Sequence, residues 1–117
     1  MATTILIVDD SRVSRMMVRA IVVDAQPDWD IIEAGNGDEA IQVSNGKTID
    51  HMILDYNMPG MNGLELAEKL RGDHADSKIT LLTANVQDSI RSSAAELGVH
   101  FKDKPITDEK IRDIIDG

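Results

Sequence analysis

The run Ile5-Leu6-Ile7-Val8 is apolar without interruption and stops abruptly at Asp9-Asp10. Such a run suits a strand buried on both faces, since a half-exposed strand alternates polar and apolar residues. The pattern recurs along the chain: Ile53-Leu54 ends at Asp55, Leu81-Leu82 ends at Thr83, and Phe101 lies just before Lys104. Segments with helical spacing separate these runs, which is the sequence form of a parallel sheet covered on both faces by helices. In a parallel sheet the carboxyl ends of the strands share one edge. Polar residues far apart in sequence then converge there.

The spacing predicts five βα units. Strands are expected at residues 4–8, 29–34, 51–54, 78–82 and 99–101, with Asp30 and Glu33 marking the second as an edge strand. The first helix is expected over residues 11–25, with Val13, Met16, Met17, Ala20 and Ile21 as its inward stripe and the methionines in the core. Gly35-Asn36-Gly37 reads as a turn, and a short helix over 38–45 ends at the stop signal Asn45-Gly46. Asn57-Met58-Pro59-Gly60 reads as a loop, because proline lacks an amide proton and glycine favours turns. A third helix is expected over 63–71 and a fourth over 87–97, the latter poor in large apolar residues. Thr107 is placed to cap a last helix with Ile111, Ile114 and Ile115 inward. These units account for residues 1–117 as a single domain with no output domain beside it.

Composition narrows the function. A formal net charge of −9 disfavours a nucleic-acid surface, which needs clustered Lys and Arg; the expected partners are proteins. The chain has no cysteine, so thiol catalysis, thiolate metal sites and disulfides are excluded. Its longest apolar runs are strand-sized, against the roughly 20 residues of a membrane helix. The expectation is a soluble cytoplasmic protein that does not insert in a membrane. His51, His74 and His100 show no metal-ligand spacing.

The strand ends carry the chemistry. Two unit charges about 4 Å apart repel by about 4 kcal/mol at an effective dielectric near 20, so Asp9, Asp10 and Asp55 together call for a cation. Lys104 answers only part of that charge. A hard divalent ion held by carboxylates, a backbone carbonyl and water answers the rest, and Mg²⁺ suits an all-oxygen set. A carboxylate, Mg²⁺, a lysine and a hydroxyl together serve phosphoryl transfer. Asp55, alone on a loop of small and amide residues, is the expected nucleophile; Thr83 would donate to one phosphoryl oxygen and Lys104 pair with another. No G-x-S-x-G, P-loop or dinucleotide fingerprint is present.

Taken in order, Val8-Asp9-Asp10, Asp55 with Asn57-Met58-Pro59-Gly60-Met61-Asn62-Gly63, Thr83-Ala84 and Lys104-Pro105 resemble the receiver domain of two-component response regulators. Within that family the chain most resembles stand-alone receivers of the CheY type. The resemblance implies a flavodoxin-like, doubly wound (βα)5 fold with strand order 2-1-3-4-5. It implies phosphorylation of Asp55 by a histidine kinase and Mg²⁺ held by Asp9, Asp10, Asp55 and the backbone carbonyl of Asn57. Thr83, Ala84 and Lys104 would bind the phosphate, with Thr83 and Phe101 as switch residues and a cis peptide at Lys104-Pro105. The output face would comprise the fourth helix, fifth strand and fifth helix, binding a downstream protein, with a phosphatase as a further partner and chemotaxis as the setting. Phe101 lacks the hydroxyl of the tyrosine common at this position in the CheY type. Asn57 and Asn85, each two residues past a site residue, are proposed to tune the phosphate's lifetime. Such a protein catalyses only its own phosphorylation and dephosphorylation.

Each residue has a plainer role when taken alone. Asp9-Asp10-Ser11 would cap a helix, Asp55 would shape a turn, Thr83 would suit a strand, and Lys104 would be a solvated lysine. A phosphorelay shuttle is an alternative setting. An aspartyl-phosphate phosphatase of the haloacid dehalogenase type would want a second acid where Asn57 stands, and a flavodoxin a Ser/Thr/Gly-rich loop where the aspartates stand.

Overall fold

The computed structural model describes residues 2–116. It contains strands β1 (Thr4–Val8), β2 (Asp30–Ala34), β3 (His51–Leu54), β4 (Lys78–Thr83) and β5 (His100–Asp103). They alternate with helices α1 (Arg12–Ala25), α2 (Gly37–Ser44), α3 (Gly63–Asp73), α4 (Asp88–Glu96) and α5 (Asp108–Asp116). All strand pairs are parallel, in the order β2-β1-β3-β4-β5. The doubly wound fold and its strand order are as expected, with β2 at one edge.

Alternation along each strand feeds two cores. Leu6, Val8, Met52, Leu54, Ile79 and Leu81 pack with Ala40 of α2, Leu66, Ala67 and Leu70 of α3, and Ile90 and Ala94 of α4. Ile5, Ile7, Ile53 and Leu82 pack on the other face with Val18 and Val22 of α1 and Ile111, Ile114 and Ile115 of α5. The apolar runs are continuous because both faces are covered.

Helix termini follow local hydrogen-bonding chemistry. Ser11 caps α1 by accepting from the Ser14 amide at 3.2 Å. Asn62 opens α3 with a full capping box, its side chain accepting from the Leu64 and Glu65 amides while Glu65 reaches back to the Asn62 amide. Thr107 accepts from the Lys110 amide at 3.2 Å, as its position suggested. Gln87 precedes α4 with no side-chain cap bond. Gly46, at φ +74°, ends the α2 segment in the left-handed region.

The structure corrects the reading of α1. Val13 is 66% exposed, Met16 58% and Met17 46%, and Ala20 is exposed with them. The buried residues of α1 are Val18 and Val22, with Ile21 and Ala25 partly covered against the same core. Both stripes have helical period, and the apolar one with the longer side chains lost. Ser14 and Arg15, at intermediate burial, lie on the inward side because Arg15 is drawn to groups at the sheet edge. A consequence is measurable by urea unfolding. Met16→Lys is expected to leave stability within about 0.5 kcal/mol, whereas Val22→Ala, which opens a cavity in the core, is expected to cost about 2 kcal/mol. Equal losses would contradict this orientation of α1.

Candidate functional site

The backbone ladder runs one residue past the strand ends and so fixes the polar residues there. The Asp9 amide donates to the Ala34 carbonyl at 3.2 Å, Asp55 to Val8 at 2.9 Å, and Lys104 to Thr83 at 2.9 Å. β5 extends two residues beyond the expected 99–101, to Asp103. Lys104 therefore leaves its strand as abruptly as Asp9 and Asp55 leave theirs. Its bond to Pro105 is cis.

These placements bring residues 95 and 49 positions apart into contact. Lys104 Nζ donates to Asp9 Oδ2 at 2.9 Å and to Asp55 Oδ2 at 3.4 Å. Carboxylate oxygens of Asp9, Asp10 and Asp55 all lie within 4.8 Å of one another. Asp9 and Asp55 are buried, at 5% and 7% exposure, while Asp10 is exposed. Asp9 is the most committed of the three, since its Oδ1 also accepts the Ser11 amide at 2.8 Å. Burial, then the neighbouring Asp9 charge, push the Asp55 carboxyl above the ordinary range; Lys104 and the Thr83 hydroxyl only partly offset them. Burial lowers the Lys104 ammonium, but its hydrogen bond to Asp9 and the charges of Asp55 and Asp9 outweigh that and leave it raised.

Thr83 is fully buried at the end of β4. Its Oγ1 accepts from the Asn85 amide at 3.2 Å, which leaves its own proton to be directed elsewhere. The Asn85 side chain accepts from the Gln87 amide at 3.4 Å, in the place of the cap that α4 lacks. Asn57 is exposed. Phe101 is partly buried against the α2/α3/α4 core, and the Arg91 guanidinium of α4 stands over its ring, 4.4 Å from the centroid. This contact ties α4 to the edge strand that carries the ring.

Two supports escaped sequence reading. Arg15 donates to the backbone carbonyl of Asp9 and pairs through Nε with Glu33 of β2 at 3.3 Å, bracing the acidic turn from outside. Spacing hid it, because Arg15 sits on a stripe that looked polar. Gly63 stands behind Asp55: a Cβ there would run into the Asp55 carbonyl oxygen and lie 2.8 Å from Leu81 Cδ1. Gly63→Ala is therefore expected to cost about 1–3 kcal/mol and to disturb the Asp55 loop. Gly72→Ala, with nothing within 4 Å of the added carbon, is expected to gain up to about 1 kcal/mol. Thermal melts of both variants check the contrast.

A family model described as the response regulator receiver domain matches residues 5–116. The chain belongs to that family. Among curated proteins, this receiver is 38% identical over 111 residues to the cyclic di-GMP phosphodiesterase response regulator RpfG of Xanthomonas campestris pv. campestris, covering 92% of this chain and 29% of that protein. It is 34% identical to the probable transcriptional regulatory protein TcrX of Mycobacterium tuberculosis, covering 92% of this chain and 46% of that one. The receiver thus spans less than half the length of these relatives. Among solved structures, the chemotaxis protein CheY4 of Vibrio cholerae superposes with a TM-score of 0.90 at 26% identity, covering 99% of this chain and 98% of that one. A response regulator from Thermotoga maritima shares the fold, with a TM-score of 0.82 at 24% identity over the whole of both chains. The acidic cluster has the donor chemistry of a receiver metal site: three clustered carboxylates, all oxygen, suit a hard divalent cation. No helix among the described residues is long and apolar enough to cross a membrane.

Proposed function

We propose that this receiver takes a phosphoryl group onto Asp55 from the phosphohistidine of a histidine kinase. A carboxylate oxygen of Asp55 attacks phosphorus, the P–N bond breaks, and the imidazole leaves. The observation that carries the reading is the reach of Lys104 to both Asp9 and Asp55 within a cluster of three carboxylates. That lysine is positioned to release a carboxylate and pair with a phosphoryl oxygen instead. Asp9, Asp10, Asp55 and the backbone carbonyl of Asn57 would hold Mg²⁺, which when bound neutralises charge on the transferring group. Thr83 donates its hydroxyl proton to a phosphoryl oxygen, and the adjacent Ala84 approaches with little bulk. Asn57 and Asn85 flank the site and set how readily water reaches the phosphate.

The output follows from the same residues. Movement of Thr83 toward the phosphate draws in Phe101, which carries the contact with Arg91 of α4, and the α4/β5/α5 surface changes. Shifting such an equilibrium from about 1:99 to 99:1 requires about 5.5 kcal/mol of differential binding. A downstream protein reads that surface, and a phosphatase is a further partner. The likeness to CheY4 supports chemotaxis as the setting. Residues 1–117 act as one receiver that catalyses only its own phosphorylation and dephosphorylation, in the cytoplasm.

Intact-protein mass after incubation with acetyl phosphate tests the reading. A single phosphoryl adduct is expected on the native chain with Mg²⁺, and none without Mg²⁺ or on Asp55→Asn. An adduct that persists in Asp55→Asn would move the site elsewhere, and no adduct under any condition would remove the phosphoacceptor role.

A further inference from the structure

The face of the sheet beneath α5 carries a second polar cluster, built on β4 and β5. In the β4/β5 register Thr80 lies opposite His100. Lys78 is two residues before Thr80 and Lys102 two residues after His100, so all four side chains share one face. That face is the one from which Leu82 meets Ile111, Ile114 and Ile115. Along β4, Thr80 lies three residues and Lys78 five residues before Thr83, roughly 10 and 17 Å at about 3.3 Å each, while Lys102 pairs with Leu82 in the row before Thr83. It is a grouping of basic side chains in a chain whose net charge is −9.

Lys78, Thr80, His100 and Lys102, together with Phe101, Asp113 and Ile114, line an open pocket of about 160 Å³. At about 30 Å³ per water the space holds roughly five waters, enough for a tetrahedral oxyanion. Thr80 is 1% exposed, and its hydroxyl is buried with no hydrogen-bond partner among the described residues. Leaving such a group unpaired is costly, so the orphaned hydroxyl points to a ligand. The Lys78 ammonium is held below the ordinary lysine range by burial and then by Lys102, with Asp116 opposing. Two like charges facing one small pocket are relieved by an anion between them.

The lysines keep donors for it. Lys78 Nζ donates to the Ile114 carbonyl at 2.7 Å and Lys102 Nζ pairs with Asp113 Oδ2 at 3.4 Å. Each ammonium has three protons, so neither contact exhausts it. We propose that Lys78, Thr80, His100 and Lys102 form a binding site for a small oxyanion of the phosphate class, in which the anion competes with Asp113 for Lys102. The site is separate from the acidic pocket and involves none of its residues.

Titration with inorganic phosphate, followed through backbone amide NMR shifts in metal-free buffer at constant ionic strength, tests it. Saturable shifts are expected at residues 78–80, 100–102 and 113–114. Lys102→Met is expected to weaken binding roughly tenfold, the loss of one charge-assisted hydrogen bond. Asp113→Asn, which removes the competing carboxylate, is expected to tighten it. Thr80→Val keeps the side-chain shape and is expected to weaken it without unfolding the chain. Shifts that do not saturate, that centre on Asp9, Asp55 and Lys104, or that are the same in Lys102→Met as in the native chain would overturn the proposal.

Discussion

Lys104→Met is expected to lose about 3 kcal/mol of stability at pH 7, because it leaves two buried carboxylates without the ammonium that bridges them. The loss depends on pH in a direction fixed by the two partners. Asp55 titrates above the ordinary carboxyl range in the folded protein, through burial first and then Asp9. The folded state therefore holds that proton at a pH where the unfolded chain has released it, and the contribution of Asp55 to stability falls as pH rises through this range. Lys104 is raised above the ordinary lysine value despite its burial, since its bonds to the two acids prevail. Its stabilising contribution is fully present below the unfolded lysine value and is lost as pH rises through the folded one.

Without Lys104, Asp55 moves further up and the penalty of ionising it grows. The deficit of Lys104→Met is consequently largest at neutral pH and shrinks at acid pH, where Asp55 takes up its proton. Urea unfolding of native and variant chains at the two pH values measures it. An equal deficit at both would mean that Lys104 supports the fold through its methylene chain and not its charge.

Much of this architecture was legible because strand and helix signals agreed. The β1 run Ile5-Leu6-Ile7-Val8 suits a strand covered on both faces, and its abrupt end marks where Asp9 stands. Lys104 was harder: β5 contains His100, Lys102 and Asp103, which do not resemble a buried strand, so its length was underestimated by two residues. An edge strand tolerates such residues because one side of its ladder and part of its faces meet solvent. The inward face of α1 was misread for a related reason. Periodicity reports that an apolar stripe exists, whereas the choice between two stripes is made by tertiary contacts, here those of Arg15 with Asp9 and Glu33. The close approach of Gly63 to Asp55 left only a glycine at a helix start, a signal with many other causes.

Adding Mg²⁺ to metal-free protein is expected to produce the other large effect. With carboxylate oxygens within 4.8 Å of one another, each pair of unit charges repels by about 3–4 kcal/mol at an effective dielectric near 20. Lys104 relieves part of this for Asp9 and Asp55 and makes no contact with Asp10 among the described residues. A divalent ion adds two positive charges where the acids converge, and it binds the folded state alone because the unfolded chain separates Asp10 from Asp55. At one hundred times its dissociation constant such an ion stabilises by about 2.7 kcal/mol. For a domain of this size that corresponds to a rise in Tm of roughly 10 °C.

Asp55→Asn acts in two opposite ways. It relieves repulsion while leaving Lys104 paired with Asp9, so the metal-free variant is expected to melt above the metal-free native chain. It also removes a ligand, so the added Mg²⁺ is expected to raise its Tm by less. Potassium chloride at matched ionic strength is expected to do little, since the charges that matter are largely buried and poorly screened. If Mg²⁺ shifted Tm equally in native and Asp55→Asn chains, or no more than potassium did, the three acids would not act together as a cation site, and their strain would have to be relieved by protonation instead.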